Sequence, residues 1–537
     1  EIHSAVAAGL RGSVPMFTKR LAHGLGFAED PNDSRSFGEH RCQLTANALW
    51  QSFCRGEFDQ EARAATMAAT FVEAGLDPLQ PHLGPGSRLE SSLVAFPFAS
   101  FPRAVRVENQ TETGRDSSPQ SSFLATAIRI GTRLCQSAFW DIDGRHCNWI
   151  GCTNDGAQTG SGRTAVTAEA ISHDVYEGSS GIALFLAQLC ELSGEKEFGR
   201  TASGAIRRSL RQLSRVRQTR QTRPISFFGG DLGVGFVARK TGQATHDPEL
   251  TAAADATLLR MAESVSQPHD LDLISGNAGA IPTLLCLAES PGLEYCRELA
   301  IELGRELCQK AVQQSVGCGW HRDSESGSGV VPVPLTGFSH GAAGIGLALF
   351  ELYSATGTAA FLEAARGAFD YEDSLFDSRE RNWPDLRLKS DRPQFGRFWC
   401  HGAPGIALAR LRAATIDAER ADQYLATARL ALSTTLDAVE QLAESPGSDT
   451  SLCHGLSGLG EVLLIAGQIL KDASCHDRAM ALGRGLIERH AAWDDWPSGV
   501  PSGGPNPSLM LGVAGVGYWL LRLNDPASVP SVLLLVS

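Results

Sequence analysis

Residues 399–411 read WCHGAPGIALARL, and residues 452–464 read LCHGLSGLGEVLL. In both, a Cys-His pair leads into Gly-x-x-Gly and then into an apolar run of helical length. The same glycine element with its apolar run recurs without the cysteine at five more places: GSSGIALFLAQL from Gly178, GDLGVGFVA from Gly230, GNAGAIPTLLCL from Gly276, GAAGIGLALFELY from Gly341 and GVAGVGYWLLRL from Gly512. The first glycines of successive copies lie 46 to 65 residues apart, and such recurrence is the signature of a repeat architecture. Each interval holds one further helical segment, among them LTAAADATLLRMAESV, CRELAIELGRELCQKAV and YLATARLALSTTLDAVEQL. These carry apolar residues at three- and four-residue steps with charged residues between them.

Helices that are apolar all round are buried on every side, whereas amphipathic ones keep a face in water. Their alternation predicts two concentric rings: an all-α fold, an α/α toroid of seven inner and seven outer helices over residues 123–537. The glycines supply the tight turns into the inner helices. An open helical solenoid is the alternative, but it leaves unexplained why the glycine turns collect polar, metal-binding residues. Two stretches rich in Gly, Ser, Thr and Asn, Val107–Ser122 and Cys152–Glu169, read as a linker and a surface loop. Residues 1–106 read as a smaller, mixed accessory segment whose helical patches stop at LQPHLGPGSRLE.

The 537 residues are 43% apolar and 20% charged, and no apolar run reaches the roughly 20 residues that a membrane span needs. A formal charge of −13 argues against a nucleic-acid partner, whose phosphates require a basic face. The thirteen cysteines are odd in number, scattered from Cys42 to Cys475 and without a CxxC pair. A secreted disulfide framework is a poor reading of them, and a reducing, cytoplasmic setting fits better. Cysteines in apolar helical runs, such as Cys190 and Cys286, act as small hydrophobes. The chain opens at Glu1, and Glu1–Arg20 lacks the pattern of a signal peptide, so the N-terminus reads as truncated or processed.

Three copies of the repeat carry side chains suited to chemistry: His340 in GFSHGAAG, Cys400 with His401, and Cys453 with His454. Catalytic zinc takes three Cys or His ligands and keeps a fourth position open. If the turns before the inner helices converge at one mouth of the ring, Cys400, Cys453 and His454 can form a Cys₂His set. The bland reading makes both cysteines small core residues beside helix N-termini. A Cys/His nucleophilic pair, as in a thiol protease, is a further reading. Two equivalent pairs in one repeat favour shared ligation over a single nucleophile.

WCHGAPGIALARL, LCHGLSGLGEVLL and the seven-fold glycine element together resemble the lanthionine synthetase C proteins and the cyclase domains of class II lanthipeptide synthetases, from about Phe123 to the end of the chain. The resemblance implies that Cys400, Cys453 and His454 hold zinc (Zn2+). It places the catalytic histidine at His340 and the catalytic aspartate at Asp272 in DLISGNAG, with Asp174 in HDVYEGSSG a weaker claimant. A bland role for Asp272 is that of a helix N-cap. Some members carry an arginine four residues before the first zinc cysteine; here Gly396 holds that place and Arg397 follows. His401 stands where the family tolerates several residues, which leaves it a supporting role behind the ligands.

The implied activity is that of a peptide cyclase, forming lanthionine or methyllanthionine thioether rings in a dehydrated precursor peptide. Zinc turns a substrate thiol, of ordinary pKa ~8.5, into a thiolate at neutral pH. The sulfur adds to the β-carbon of dehydroalanine or dehydrobutyrine, and an acid returns a proton to the α-carbon. Imidazole suits that task, because its ordinary pKa lies nearest neutrality. Residues 1–122 are too short for the dehydratase of a class II synthetase, so a separate dehydratase or kinase/lyase partner is expected. SVPMFTKRLAHGLGFAED and FVEAGLDPLQPHLGPGS resemble the end of the HopA-like bacterial effector family, some of whose members act as lyases in lanthipeptide pathways. Addition of glutathione to dehydroamino acids in proteins would use the same residues. A non-catalytic toroid scaffold would need no zinc, and a glycan-cleaving toroid would need paired carboxylates at its mouth.

Overall fold

The computed structural model describes residues 119–535 apart from 142, 159–163, 217–223, 264, 266, 268, 322–332, 388–392, 446, 492–495 and 501–505. The expected accessory segment 1–106 lies outside the described residues, as does most of the expected linker. Residues 118–138 and 144–537 form one compact unit. Its first helix, α1 (Pro119–Ser137), begins inside the stretch read as linker.

Fourteen helices lie among the described residues. Seven follow the glycine turns: α2 (Ser179–Ser193), α4 (Asp231–Ala244), α6 (Asn277–Ala288), α8 (Ala342–Thr356), α10 (Ala403–Ala414), α12 (Leu456–Leu470) and α14 (Val513–Asn524). The first six each pack on the helix that follows: α3 (Lys196–Val216), α5 (Pro248–Ala262), α7 (Cys296–Lys310), α9 (Ala359–Asp373), α11 (Ala421–Glu444) and α13 (Ala473–His490). The partner of α14 is α1, which completes the outer ring from the other end of the sequence. Each inner helix touches the next, and α14 touches α2. The ring is therefore closed, an α/α toroid, and the open solenoid does not apply.

Burial follows the two sequence patterns. Helix α12 buries every residue from Leu456 to Gly467. Helix α11 buries Tyr424, Ala428, Ala431, Thr435 and Ala438, at steps of four and three that trace one face. The second glycine of each Gly-x-x-Gly has one physical reason in all seven copies: a Cβ there would meet the carbonyl oxygen of the residue six positions earlier at 1.7–2.2 Å. Gly458→Ala would drive a methyl onto Leu452 O and is expected to cost about 1–3 kcal/mol. Urea denaturation checks this, with Gly485→Ala, whose Cβ would meet nothing within 4 Å, as the control.

The stretch expected as a surface loop is instead an antiparallel hairpin. Strand β1 (Ile150–Gln158) pairs with β2 (Thr164–Ala170), Ile150 opposite Ala170 and Thr153 opposite Thr167. Threonine and valine favour pleated backbone, so the same Thr-rich composition that suits a loop also suits a ribbon. After α14 the chain returns through the core: Tyr518 Oη donates to Pro530 O (3.0 Å), Arg522 Nη1 to Val529 O (2.6 Å) and Trp399 Nε1 to Leu533 O (3.3 Å). Val529 and Leu533 are fully buried. The eleven cysteines of the described residues are free thiols, and no helix among those residues is long and apolar enough to cross a membrane.

Candidate metal and acid–base site

The seven glycine turns gather at one end of the inner ring and bond to one another. Val175 and Tyr176 N–H donate to Phe228 O; Ile225 N–H donates to Ser275 O; Leu273 N–H donates to Ser339 O; Phe338 and Ser339 N–H donate to Cys400 O. On the far side Cys453 N–H donates to Met510 O and Met510 N–H to Tyr176 O, both at 2.9 Å. Six of the seven junctions are joined in this way. Among the described residues no backbone hydrogen bond joins the fifth turn to the sixth, and at that junction Cys400, Cys453 and His454 meet.

One ligand atom from each of these three lies within 4.8 Å of the others. Ligands held ~2.0–2.3 Å from a tetrahedral zinc stand roughly 3.3–3.8 Å apart, so the cluster fits one shared ion, and two sulfurs with one imidazole are a donor set for zinc. The fifth turn is held in place from behind. Trp399 is fully buried between Phe228 (5.4 Å) and Phe338 (5.5 Å). Gly402 takes φ +94°, where a Cβ would meet Gly396 O at 1.8 Å. Phe398 packs edge-on against the His454 ring, 5.6 Å between centroids.

The free cluster shares its protons unequally. Hydrogen bonds from Cys453 and His454 pull the Cys400 thiol well below its ordinary value, while burial, with the Cys400 charge added, pushes Cys453 well above it. Burial works to lower His454, but the bond and charge of Cys400 outweigh it and raise the imidazole. A metal must expel the Cys453 proton and, toward acid, the His454 proton as well. Zinc affinity is therefore expected to rise at least about tenfold per pH unit through neutrality, more steeply on the acid side. Chelator competition at several pH values measures this; a flat profile would contradict the shared-proton state.

Asp272 and His340 form the second part of the site. Asp272 Oδ2 lies 2.6 Å from His340 Nδ1. Its other oxygen accepts the Ser275 N–H at 2.7 Å, so the expected bland role, turn capping, and the pairing with histidine coexist in one carboxylate. The carboxylate assigns the proton to Nδ1 and leaves Nε2 for a substrate; the His340 side chain is 21% exposed and can be reached. The turn of His340 is fixed twice, by the Cys400 carbonyl and by Glu372, whose Oε1 accepts the Gly337 N–H at 2.8 Å. Burial raises Glu372 to about 7, against the opposing charge of Arg410.

His401 is not one of the three clustered ligands. It is buried, stacks on His340 with 5.8 Å between centroids, and approaches Ser339 Oγ through Nε2 at 3.3 Å. Burial lowers its pKa to about 4, so it packs as a neutral ring. Asp174 accepts the N–H groups of Glu177 (2.9 Å) and Gly178 (3.2 Å) and serves the first turn. Arg397 contributes an isolated backbone bridge with Gly402. Arg387, held bidentately by Asp385 at 3.0 and 2.7 Å, is a further cation within electrostatic reach of Cys400 and Cys453. Sequence reading missed it, although the Asp-x-Arg spacing was visible. It also missed Tyr176, whose Oη donates to Cys453 Sγ at 2.8 Å, and Glu372, because nothing local marks a residue that acts on a partner 35 or more positions away.

The model of the lanthionine synthetase C-like protein family matches residues 169–534, and that of the HopA1 effector protein family matches residues 1–83. The chain belongs to the lanthionine synthetase C-like family. A curated relative, the lacticin 481/lactococcin biosynthesis protein LcnDR2 of Lactococcus lactis subsp. lactis, is 23% identical over 372 residues, 66% of this chain. The match spans 36% of that relative's own length. Among solved structures, nisin cyclase superposes with a TM-score of 0.55 at 19% identity, covering 68% of this chain and 92% of that one. The last likeness shows a shared toroid.

Proposed function

We propose that the chain is a zinc-dependent cyclase that joins a cysteine thiol to a dehydroalanine or dehydrobutyrine in a precursor peptide, giving a lanthionine or methyllanthionine. The observation that carries this reading is the meeting of Cys400, Cys453 and His454 beside an Asp272–His340 pair whose turn is bonded to the Cys400 carbonyl. When bound, zinc supplies a Lewis acid that lowers the pKa of a substrate thiol and leaves it as the thiolate. The sulfur lone pair then forms the C–S bond at the β-carbon, and the π pair moves toward the α-carbon and its carbonyl. His340, its Nδ1 proton held by Asp272, takes up at Nε2 the proton released by the substrate thiol and returns it to the α-carbon, so thiol and alkene give the thioether with no net change of charge. Arg387 adds positive charge near the sulfurs and favours anionic species beside them. The family membership and the names of its relatives support the same reaction class.

The zinc-loaded chain, incubated with dehydrated cysteine-containing peptides, is expected to consume thiols without changing peptide mass. Alkylation of the remaining thiols, read by mass spectrometry against an enzyme-free control, measures it. Unchanged thiol counts over several such peptides would overturn the reading. Transfer of glutathione, seen as a mass gain equal to that tripeptide, would redirect it to intermolecular thiol addition.

A further inference from the structure

The Oη of Tyr176 lies 2.8 Å from the sulfur of Cys453, 277 residues away in sequence. The contact spans a whole turn: Tyr176 belongs to the first copy and Cys453 to the sixth, with the seventh between them. Met510 of the seventh turn locks both, donating its N–H to Tyr176 O and accepting the N–H of Cys453 on its own carbonyl. The Tyr176 ring is braced edge-on by Phe228, 6.2 Å between centroids at 81°. A phenol of ordinary pKa near 10 carries its proton at neutral pH and can only donate to a thiolate. A hydrogen bond to an anionic sulfur is among the stronger kinds, and it withdraws electron density from the atom that receives it.

Resting on the reading of Cys453 as a metal ligand, we propose that Tyr176 is a positioning residue for the metal centre, whose O–H aims the Cys453 sulfur and limits the charge it gives to the ion. The two protein sulfurs are then unequal donors. A metal that receives less charge from Cys453 keeps more Lewis acidity for the sulfur of a substrate. Partners outside the ligand set commonly contribute about 10- to 100-fold to metal affinity or activity.

Cobalt(II) reports on this directly, because its sulfur-to-metal absorption in the near ultraviolet follows the energy of the sulfur lone pairs. The full chain is loaded with cobalt, and affinity is read by competition with a chromophoric chelator. Tyr176→Phe is expected to bind cobalt about tenfold more weakly or worse, and at full occupancy its absorption band moves to longer wavelength. Biosynthetic replacement of tyrosine by 3-fluorotyrosine, a stronger donor, moves the band the other way without removing the ring, and it serves if Tyr176→Phe does not fold. A Tyr176→Phe protein with wild-type affinity and band position, or a fluorinated protein with an unmoved band, overturns the proposal. Failure of the wild type to bind cobalt would instead sink the metal reading on which it rests.

Discussion

Cys453→Ala is expected to abolish stoichiometric zinc binding and thiol addition together, and to erase the stabilisation that zinc gives the wild type. The reason lies at the junction of the fifth and sixth turns, where the described residues supply no backbone hydrogen bond and the three ligands meet. Without Cys453 the junction keeps the packing of α10 on α12 and the ring contact of Phe398 with His454. One sulfur and one imidazole do not make the three-ligand set of a catalytic zinc. Zinc at a thousand times its dissociation constant stabilises a protein by about 4 kcal/mol, so the wild type should melt several degrees higher with zinc than with chelator. Cys453→Ala should melt at one temperature in both. Cys286→Ala, on an inner helix outside the cluster, should behave as wild type. Equal zinc content in Cys453→Ala and wild type, measured by metal analysis, would remove the basis for the ligand assignment. The activity loss should exceed the ~10- to 100-fold typical of changes outside the ligand set.

The ring was legible because its helices announce themselves twice, by the glycine turn and by the apolar run behind it. Gly181, Gly233, Gly279, Gly344, Gly405, Gly458 and Gly515 each lie against a carbonyl six residues back, a local constraint that leaves a local trace. The Cys-His pairs ride on that trace, and the structure brings Cys400, Cys453 and His454 within reach of one ion. The seventh outer helix was not legible in this way. Its partner α14 lies at the other end of the sequence, so α1 has no neighbouring glycine turn to mark it. Arg387 and Tyr176 were hidden for a related reason: each acts on a residue of another copy, and sequence periodicity reports what repeats within copies; Glu372 acts within its own copy, but from the outer helix back onto a turn 35 residues earlier. The hairpin of β1 and β2 was misread because threonine and glycine serve loops and ribbons alike.

His340→Asn is expected to slow thiol addition by about 10²- to 10⁴-fold, the usual contribution of a positioned acid, while leaving zinc content unchanged. The split separates the two halves of the site, since His340 does not belong to the ligand cluster. It should also alter the product. A fixed acid delivers the proton to one face of the α-carbon, whereas water can reach both, so the slow residual product should contain both α-epimers. Asp272→Asn tests whether the carboxylate does more than cap its turn. Asparagine caps as well as aspartate and can still accept the Ser275 N–H, so a capping role alone predicts unchanged activity. The 2.6 Å contact with His340 Nδ1 predicts otherwise. An amide oxygen holds the ring more weakly than a carboxylate and an amide nitrogen inverts its tautomer, so a loss of at least about tenfold is expected. Rates from single-turnover assays with saturating peptide, together with chiral analysis of hydrolysed lanthionine, check both. Full activity in Asp272→Asn would return that residue to the turn, and a single epimer from His340→Asn would move the proton delivery to another group.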